Sequence, residues 1–151
     1  KAPIIEHNDI VICESGAIME YILDQDTEQR LRPEKGSKAY YQYVEWSHFA
    51  EGSLGLPVIT SLLMQMEERS GTNPMDGYIA KELNLDFSYI DSVLAKQTYF
   101  AGDEFTAADI MMTITLEIAG SLNLLQGREN IAGYLANMQS REAYLKARSF
   151  G

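Results

Sequence analysis

Cysteine, histidine, basic charge and long apolar runs are all scarce in this 151-residue chain, and each shortage removes a class of function. The lone Cys13 excludes an internal disulfide framework, and with only the distant His7 and His48 beside it no zinc-ligand spacing can be drawn. Lys and Arg number 12 against 22 Asp and Glu, a formal charge of −10, and the basic residues are scattered. A nucleic-acid binder gathers its cations on one face to neutralise phosphates, so no nucleic-acid partner is expected. No stretch approaches the roughly 20 uninterrupted apolar residues that cross a bilayer, and the opening KAPIIEHND lacks the basic-then-apolar build of a secretory signal. No membrane partner is expected either, and a reducing cytoplasm is the default setting.

Hydrophobic residues make up 46% of the chain, enough for one good core or for a small domain plus a fragment of another. Residues 2–6 (APIIE) and 10–13 (IVIC) are short apolar runs around a three-residue polar turn, His7-Asn8-Asp9, which predicts a tight antiparallel hairpin. Helical spacing follows over 15–25. The polar stretch DTEQRLRPEKG, with Pro33 and Gly36 and no periodicity, predicts a linker.

Everything after the linker is predicted helical. Tyr40, Tyr43, Trp46 and Phe49 give a helix over 37–51, GSLGLP at 52–57 should kink or interrupt it, and the pattern resumes over 58–69. Asn73-Pro74-Met75-Asp76 is a helix start: an Asn cap, a proline whose missing N–H costs nothing in the first turn, and an acid suited to the helix dipole. Ile79, Leu83, Phe87, Ile90 and Leu94 behind it predict a long amphipathic helix. Thr106-Ala107-Ala108-Asp109 predicts a capping box, with Phe105 and Ile110 at the positions of a hydrophobic staple. The helix it starts, ADIMMTITLEIAG, is apolar nearly all round and belongs at the centre of a bundle. Ile131, Tyr134, Leu135 and Met138 mark a final helix or pair of short helices.

The stretch ICESGAIMEYILDQ, 12–25, carries the chemistry. A strand-like run ends at Glu14-Ser15-Gly16, where helical spacing begins at once. At such a junction the first backbone N–H groups of the helix lack partners and favour an anion. Ser15 either caps its own helix or holds a ligand carboxylate there. Glu14 is either a solvated charge or the partner of a ligand ammonium. Together the two residues fit the charged ends of an α-amino acid group.

The order Ala2-Pro3-Ile4-Ile5, short turn, strand, Glu14-Ser15-Gly16-Ala17-Ile18, polar linker and helical remainder with FTAADI resembles the glutathione transferase family over essentially the whole chain. EWSHFAEGSLGLP, 45–57, looks most like bacterial and fungal members. The resemblance implies a mainly α fold: a partial thioredoxin-like α/β unit, hairpin plus helix, in 1–26, a linker in 27–36, and the family's all-helical bundle in 37–151. It implies a cis peptide at Pro3, a β-like contact from the Ala2 backbone to the cysteinyl part of glutathione, and Glu14 and Ser15 on its γ-glutamyl end. Family members often have Val before the proline; Ala2 departs from this, at a contact made by backbone. The implied activity is conjugation of the glutathione thiolate to a hydrophobic electrophile, by a homodimer. The alternative is a non-catalytic binding or assembly module on the same fold. The family's earlier strands and helices, with the Tyr, Ser or Cys that activates the thiol, have no counterpart here, so an N-terminal portion is expected to be lacking and the chain alone to be inactive.

Three other features have plainer explanations. Cys13 is expected to be buried and structural, since its neighbourhood is acidic and offers nothing to stabilise a thiolate. His48 and Glu51, three apart, are expected to be surface neighbours rather than an acid/base pair. Tyr43, Trp46, Phe49 and the methionines, with Met111 and Met112 adjacent, are expected mainly to fill the core.

Overall fold

A computed structural model describes residues 2–67, 69 and 71–150. Two strands, β1 (Ile4–His7) and β2 (Ile10–Cys13), pair antiparallel and lead into helix α1 (Ser15–Gln25). After the linker come α2 (Lys38–Phe49), a π-helical turn (Ala50–Gly55), α3 (Leu56–Met66), α4 (Pro74–Leu94), α5 (Ala107–Ser121), α6 (Glu129–Gln139) and α7 (Glu142–Arg148). A part of a thioredoxin-like unit thus precedes a helical bundle. Among the described residues no helix is long and apolar enough to cross a membrane.

The hairpin turn is one residue shorter than the sequence pattern predicts. His7 pairs with Ile10, leaving only Asn8 and Asp9 between the strands, and Asn8 takes φ 54°, which Asn tolerates better than most residues. The first strand therefore starts at Ile4 and ends at His7 rather than spanning 2–6. Ile5 and Ile12 face one another half-buried, while Ile4, Val11 and Cys13 are exposed. The expectation of a buried Cys13 is thus corrected. Burial of a strand residue depends on what covers the sheet, and this sheet has only two strands.

The bundle core forms as the periodicity requires. Helix α5 contributes eight buried residues and packs against α2, α3, α6 and the π-helical turn. Trp46 and Tyr43 from α2, Phe87 and Ile90 from α4, and Phe100 from the loop before α5 are buried with it, whereas Phe49 is half-buried. Trp46 stacks on Tyr89 with ring centres 5.1 Å apart and meets Phe100 at 4.6 Å. Met111 and Met112 are buried, but Met66 is exposed.

The interruption expected at 52–57 takes the form of one wide turn. Pro57 lies in the first turn of α3 and has no N–H to give to the turn before it, and its ring would press on the carbonyl four residues earlier. Widening the helix over Ala50–Gly55 absorbs both problems without breaking the chain's helical course. Gly55 is required there: a Cβ on it would lie 3.1 Å from the Ala50 carbonyl oxygen. The capping box predicted at Thr106 with Asp109 is present, and the helix start predicted at Asn73 also closes as a box, with Asp76 accepting the Asn73 N–H.

The linker is fastened to the bundle. The Ala107 N–H, the first of α5, donates to the Leu31 carbonyl at 2.9 Å. Asp26 closes the end of α1 by accepting the N–H groups of Glu28 at 3.2 Å and Arg30 at 3.1 Å.

Candidate functional site

The register of the hairpin brings the four sequence-predicted site residues together. Ile4 pairs with Cys13, so the chain just before β1, Ala2 and Pro3, runs alongside the chain just after β2, Glu14 and Ser15. The Ala2–Pro3 peptide is cis, as the resemblance implies. Ala2 lies outside the β1–β2 pairing, and Ala2, Pro3 and Glu14 are exposed with Ser15 half-buried.

Glu14 makes the turn from strand to helix in a conformation unusual for a residue with a side chain, φ 78° and ψ 123°. Residues held in such regions cost about 1–3 kcal/mol and gather at functional sites. Glu14, and not Ser15, occupies the cap position of α1: its carbonyl accepts the Ile18 N–H at 2.9 Å, and its side chain makes no capping bond. Ser15 is the first helical residue. Of its two sequence-level roles, the N-cap is therefore excluded.

The consequence is electrostatic. The N–H groups of Ser15, Gly16 and Ala17 have no acceptor within the helix, and the first turn holds no acidic side chain to take their place. Among the described residues, no atom beyond its chain neighbours and its own helix backbone lies within 4 Å of where a Gly16 Cβ would be. An anion is favoured there by the N–H groups and the dipole, and Glu14 is the adjacent residue.

Behind the site, α1 is tied to the bundle through residues that the sequence reading did not single out for it. Glu20 accepts the Tyr43 hydroxyl on Oε1 and Arg32 Nη1 on Oε2, the latter at 2.9 Å. Arg32 Nη2 reaches Asp24 Oδ1 at 2.6 Å. Burial, and then the adjacent Glu20 carboxylate, push the Tyr43 phenol well above its ordinary pKa, so it stays a donor. The available signal was the Glu20/Asp24 pair one turn apart on α1 and one arginine beyond it; nothing local identified Tyr43 as their third partner.

The remaining candidates do not join this arrangement. His48 and Glu51 are exposed with no hydrogen bond between them, as a surface pair should be. Cavities of about 350 Å³ beside Glu117 and Tyr144 and about 280 Å³ beside Asn130 and Asn137 contain none of the four site residues.

The chain is similar to known proteins along most of its length. Residues 1–24 match the glutathione S-transferase N-terminal domain family, and residues 58–142 match the glutathione S-transferase C-terminal domain family. The chain is 32% identical over 125 residues to glutathione S-transferase 3 of Schizosaccharomyces pombe, covering 74% of this chain and 51% of the relative. A crystal structure of a glutathione S-transferase from Actinobacillus pleuropneumoniae superposes with a TM-score of 0.87 at 27% identity, over 99% of this chain and 68% of that one. A sphingomonad glutathione S-transferase complexed with glutathione shares the fold, with a TM-score of 0.79 at 21% identity over 100% of this chain and 75% of that one. The chain spans about half the length of the fission-yeast relative.

Proposed function

The chain belongs to the glutathione S-transferase family, and on that premise we propose that its Glu14–Ser15 corner binds the γ-glutamyl end of glutathione. Glu14 pairs with the ammonium, and the Ser15 hydroxyl with the first N–H groups of α1 takes the α-carboxylate. Pro3 shapes the approach, and the unpaired Ala2 backbone takes the cysteinyl amide in β fashion. The observation that carries this reading is the backbone of Glu14, which makes Glu14 the residue before a helix start with no side-chain cap, so that a carboxylate residue and the first N–H groups of α1 are adjacent.

For the whole protein we propose conjugation: the glutathione thiolate attacks a hydrophobic electrophile, a sulfur–carbon bond forms, and the leaving group departs with its electron pair. The thiolate is the nucleophile, so the protein's task is to hold the peptide and favour its ionised sulfur. The described residues supply the peptide contacts. Residues 1–26 then act as part of the glutathione-binding unit, 27–36 as the linker, and 37–151 as the helical domain.

A homodimer and a cytoplasmic setting complete the proposal. Leu56, Ile59, Leu63 and Met66 form an exposed apolar stripe along α3, and Met75, Tyr78, Leu85 and Tyr89 another on α4, which packs beside it. Such stripes suit a partner subunit better than water. In a reducing compartment the exposed Cys13 thiol stays free.

Titration calorimetry with glutathione tests the site. Glu14→Gln combined with Ser15→Ala should weaken binding by about 2–5 kcal/mol, a charge-assisted bond plus a second polar contact. Unchanged affinity would sink the assignment.

A further inference from the structure

We propose that Glu20 and Tyr43 are positioning residues for the glutathione site, Tyr43 acting through Glu20 to fix the direction in which the first turn of α1 points. This deepens the reading of Glu14 and Ser15 given above and rests on it.

The site's anion-binding groups are backbone N–H vectors, and their aim is the aim of the helix axis. At its N-terminal end α1 is joined to a two-stranded hairpin that is exposed on most of its surface. The bundle therefore has to set the helix from its other side. Two apolar residues do part of this, Leu23 buried in the core and Met19 packed against it. Such contacts resist separation but allow rotation about the helix axis, because apolar packing is not directional.

The polar contacts supply the direction. Glu20 uses one oxygen for α2, through the Tyr43 hydroxyl, and the other for the linker, through Arg32 at 2.9 Å. Asp24, one turn along the same face, takes the other arm of the same guanidinium at 2.6 Å. The linker is itself fixed, since the Leu31 carbonyl holds the first N–H of α5 at 2.9 Å. One carboxylate thus ties α1 to two separate parts of the bundle. Tyr43 is only 2% exposed, so its hydroxyl cannot wander, while Glu20 is about half-exposed and is held by its partners.

A double-mutant cycle separates positioning from packing. Tyr43→Phe keeps the ring in the core and removes only the hydroxyl, and Glu20→Ala removes the acceptor at a half-exposed position, so both variants should fold. In the full chain, each should weaken glutathione binding by about two- to thirtyfold, the range seen when a linking residue is changed. The double variant should bind no more weakly than Glu20→Ala, because Tyr43 has no route to the site once Glu20 is gone. Arg32→Lys should retain more affinity than Arg32→Ala. Amide exchange at Ile18, whose N–H is held by the Glu14 carbonyl, and at Met19 and Tyr21 further along α1 should quicken in Tyr43→Phe and in Glu20→Ala alike, while exchange in α5 stays as in the wild type.

Wild-type affinity in Tyr43→Phe, or losses that multiply independently in the double variant, would overturn the proposal with the glutathione reading intact. If wild-type binding is absent or insensitive to Glu14→Gln with Ser15→Ala, the glutathione reading itself fails. The exchange data then decide the orientation claim alone, and unchanged exchange in both single variants would overturn that too.

Discussion

Tyr134 donates its hydroxyl to Asp109 Oδ1 at 3.0 Å, so the carboxylate that starts α5 is also an anchor for α6. The same oxygen takes the Phe100 N–H at 3.0 Å, and Oδ2 takes the Thr106 N–H at 2.8 Å. Asp109 is fully buried at this junction of the loop, α5 and α6. Its role is to satisfy donors that water cannot reach.

Asp109→Ala should therefore cost more than an ordinary cap. Four donor groups, the Phe100 N–H, the Thr106 N–H and hydroxyl and the Tyr134 hydroxyl, would lose the carboxylate, which together should cost about 2–5 kcal/mol. Thr106→Ala removes one capping group and should cost about 0.5–2 kcal/mol. Urea unfolding of the two variants checks the order, and equal midpoints would show that Phe100 and Tyr134 do not depend on the carboxylate. Glutathione affinity should be the same in both.

Burial pushes the Asp109 carboxyl above its ordinary 3.8, against the pull of the Phe100, Thr106 and Tyr134 donors. A raised pKa means that the folded state holds the proton more tightly than the unfolded chain does. The stabilisation from this group is thus complete below about pH 3.8 and is lost as pH rises through the folded-state value. Asp109→Asn cannot titrate there. The stability of the wild type relative to Asp109→Asn should fall as pH rises above about 3.8 in paired urea titrations, and a relative gain with pH would reverse the sign of the shift.

What could be read from the sequence divides along the range of the interactions. The helix start at Asn73, the capping box at Thr106, the α4 stripe through Ile90 and the burial of α5 follow from residues within a few positions of one another, and each is present in the fold. The other partners of Asp109 could not be found that way, since Tyr134 is on another helix. Helix α6 likewise borrows its cap: Asp91 on α4 accepts the N–H groups of Asn130 at 3.1 Å and Ile131 at 3.2 Å. The corner at Glu14 was legible as a strand-to-helix junction. Its left-handed φ was not, and that angle is what moves the cap from Ser15 to Glu14. Cys13 was misjudged because burial is set by neighbouring layers and not by residue type.

Two glycines inside helical stretches should answer oppositely to alanine. At Gly55 the new Cβ would meet the Ala50 carbonyl oxygen at 3.1 Å, a backbone atom with little room to yield, and Gly55→Ala should destabilise by about 1–3 kcal/mol. At Gly77 in α4 no described atom beyond its chain neighbours and helix backbone lies within 4 Å of the new Cβ, and Gly77→Ala should stabilise by about 0.5–1 kcal/mol through helix propensity. Thermal melts of both variants check this. A gain at Gly55 would mean that the π-helical turn relaxes freely.

The α3 and α4 stripes can be tested without reference to chemistry. Sedimentation at micromolar concentration should show a dimer for the wild type and a monomer for Leu63→Glu combined with Tyr78→Glu, because a carboxylate buried in an apolar interface without a partner is costly. Both positions are exposed in the single chain, 54% and 57%, so the variant should keep its fold and its melting temperature to within a few degrees. A wild-type monomer would leave these stripes without the proposed partner.

Stability should also be graded along the chain, and amide exchange reads the gradient directly. The hairpin has two four-residue strands, with only the Ile5–Ile12 pair half-buried between them, and a lone two-stranded sheet is marginal in water. Helix α1 comes next: Ile18 and Leu23 are buried, and Glu20 and Asp24 hold it to Arg32. Helix α5 is enclosed by the bundle and should open only with global unfolding. Protection should therefore rise from the Ile4–His7 and Ile10–Cys13 amides, through those of α1, to Met112 and Leu116. The hairpin should lie at least about 2 kcal/mol below α5, since local openings range from near zero up to the global value. Equal protection in hairpin and α5 under conditions where the chain is monomeric would mean that the two strands unfold only with the core, and that the hairpin is as firmly held as the bundle it precedes.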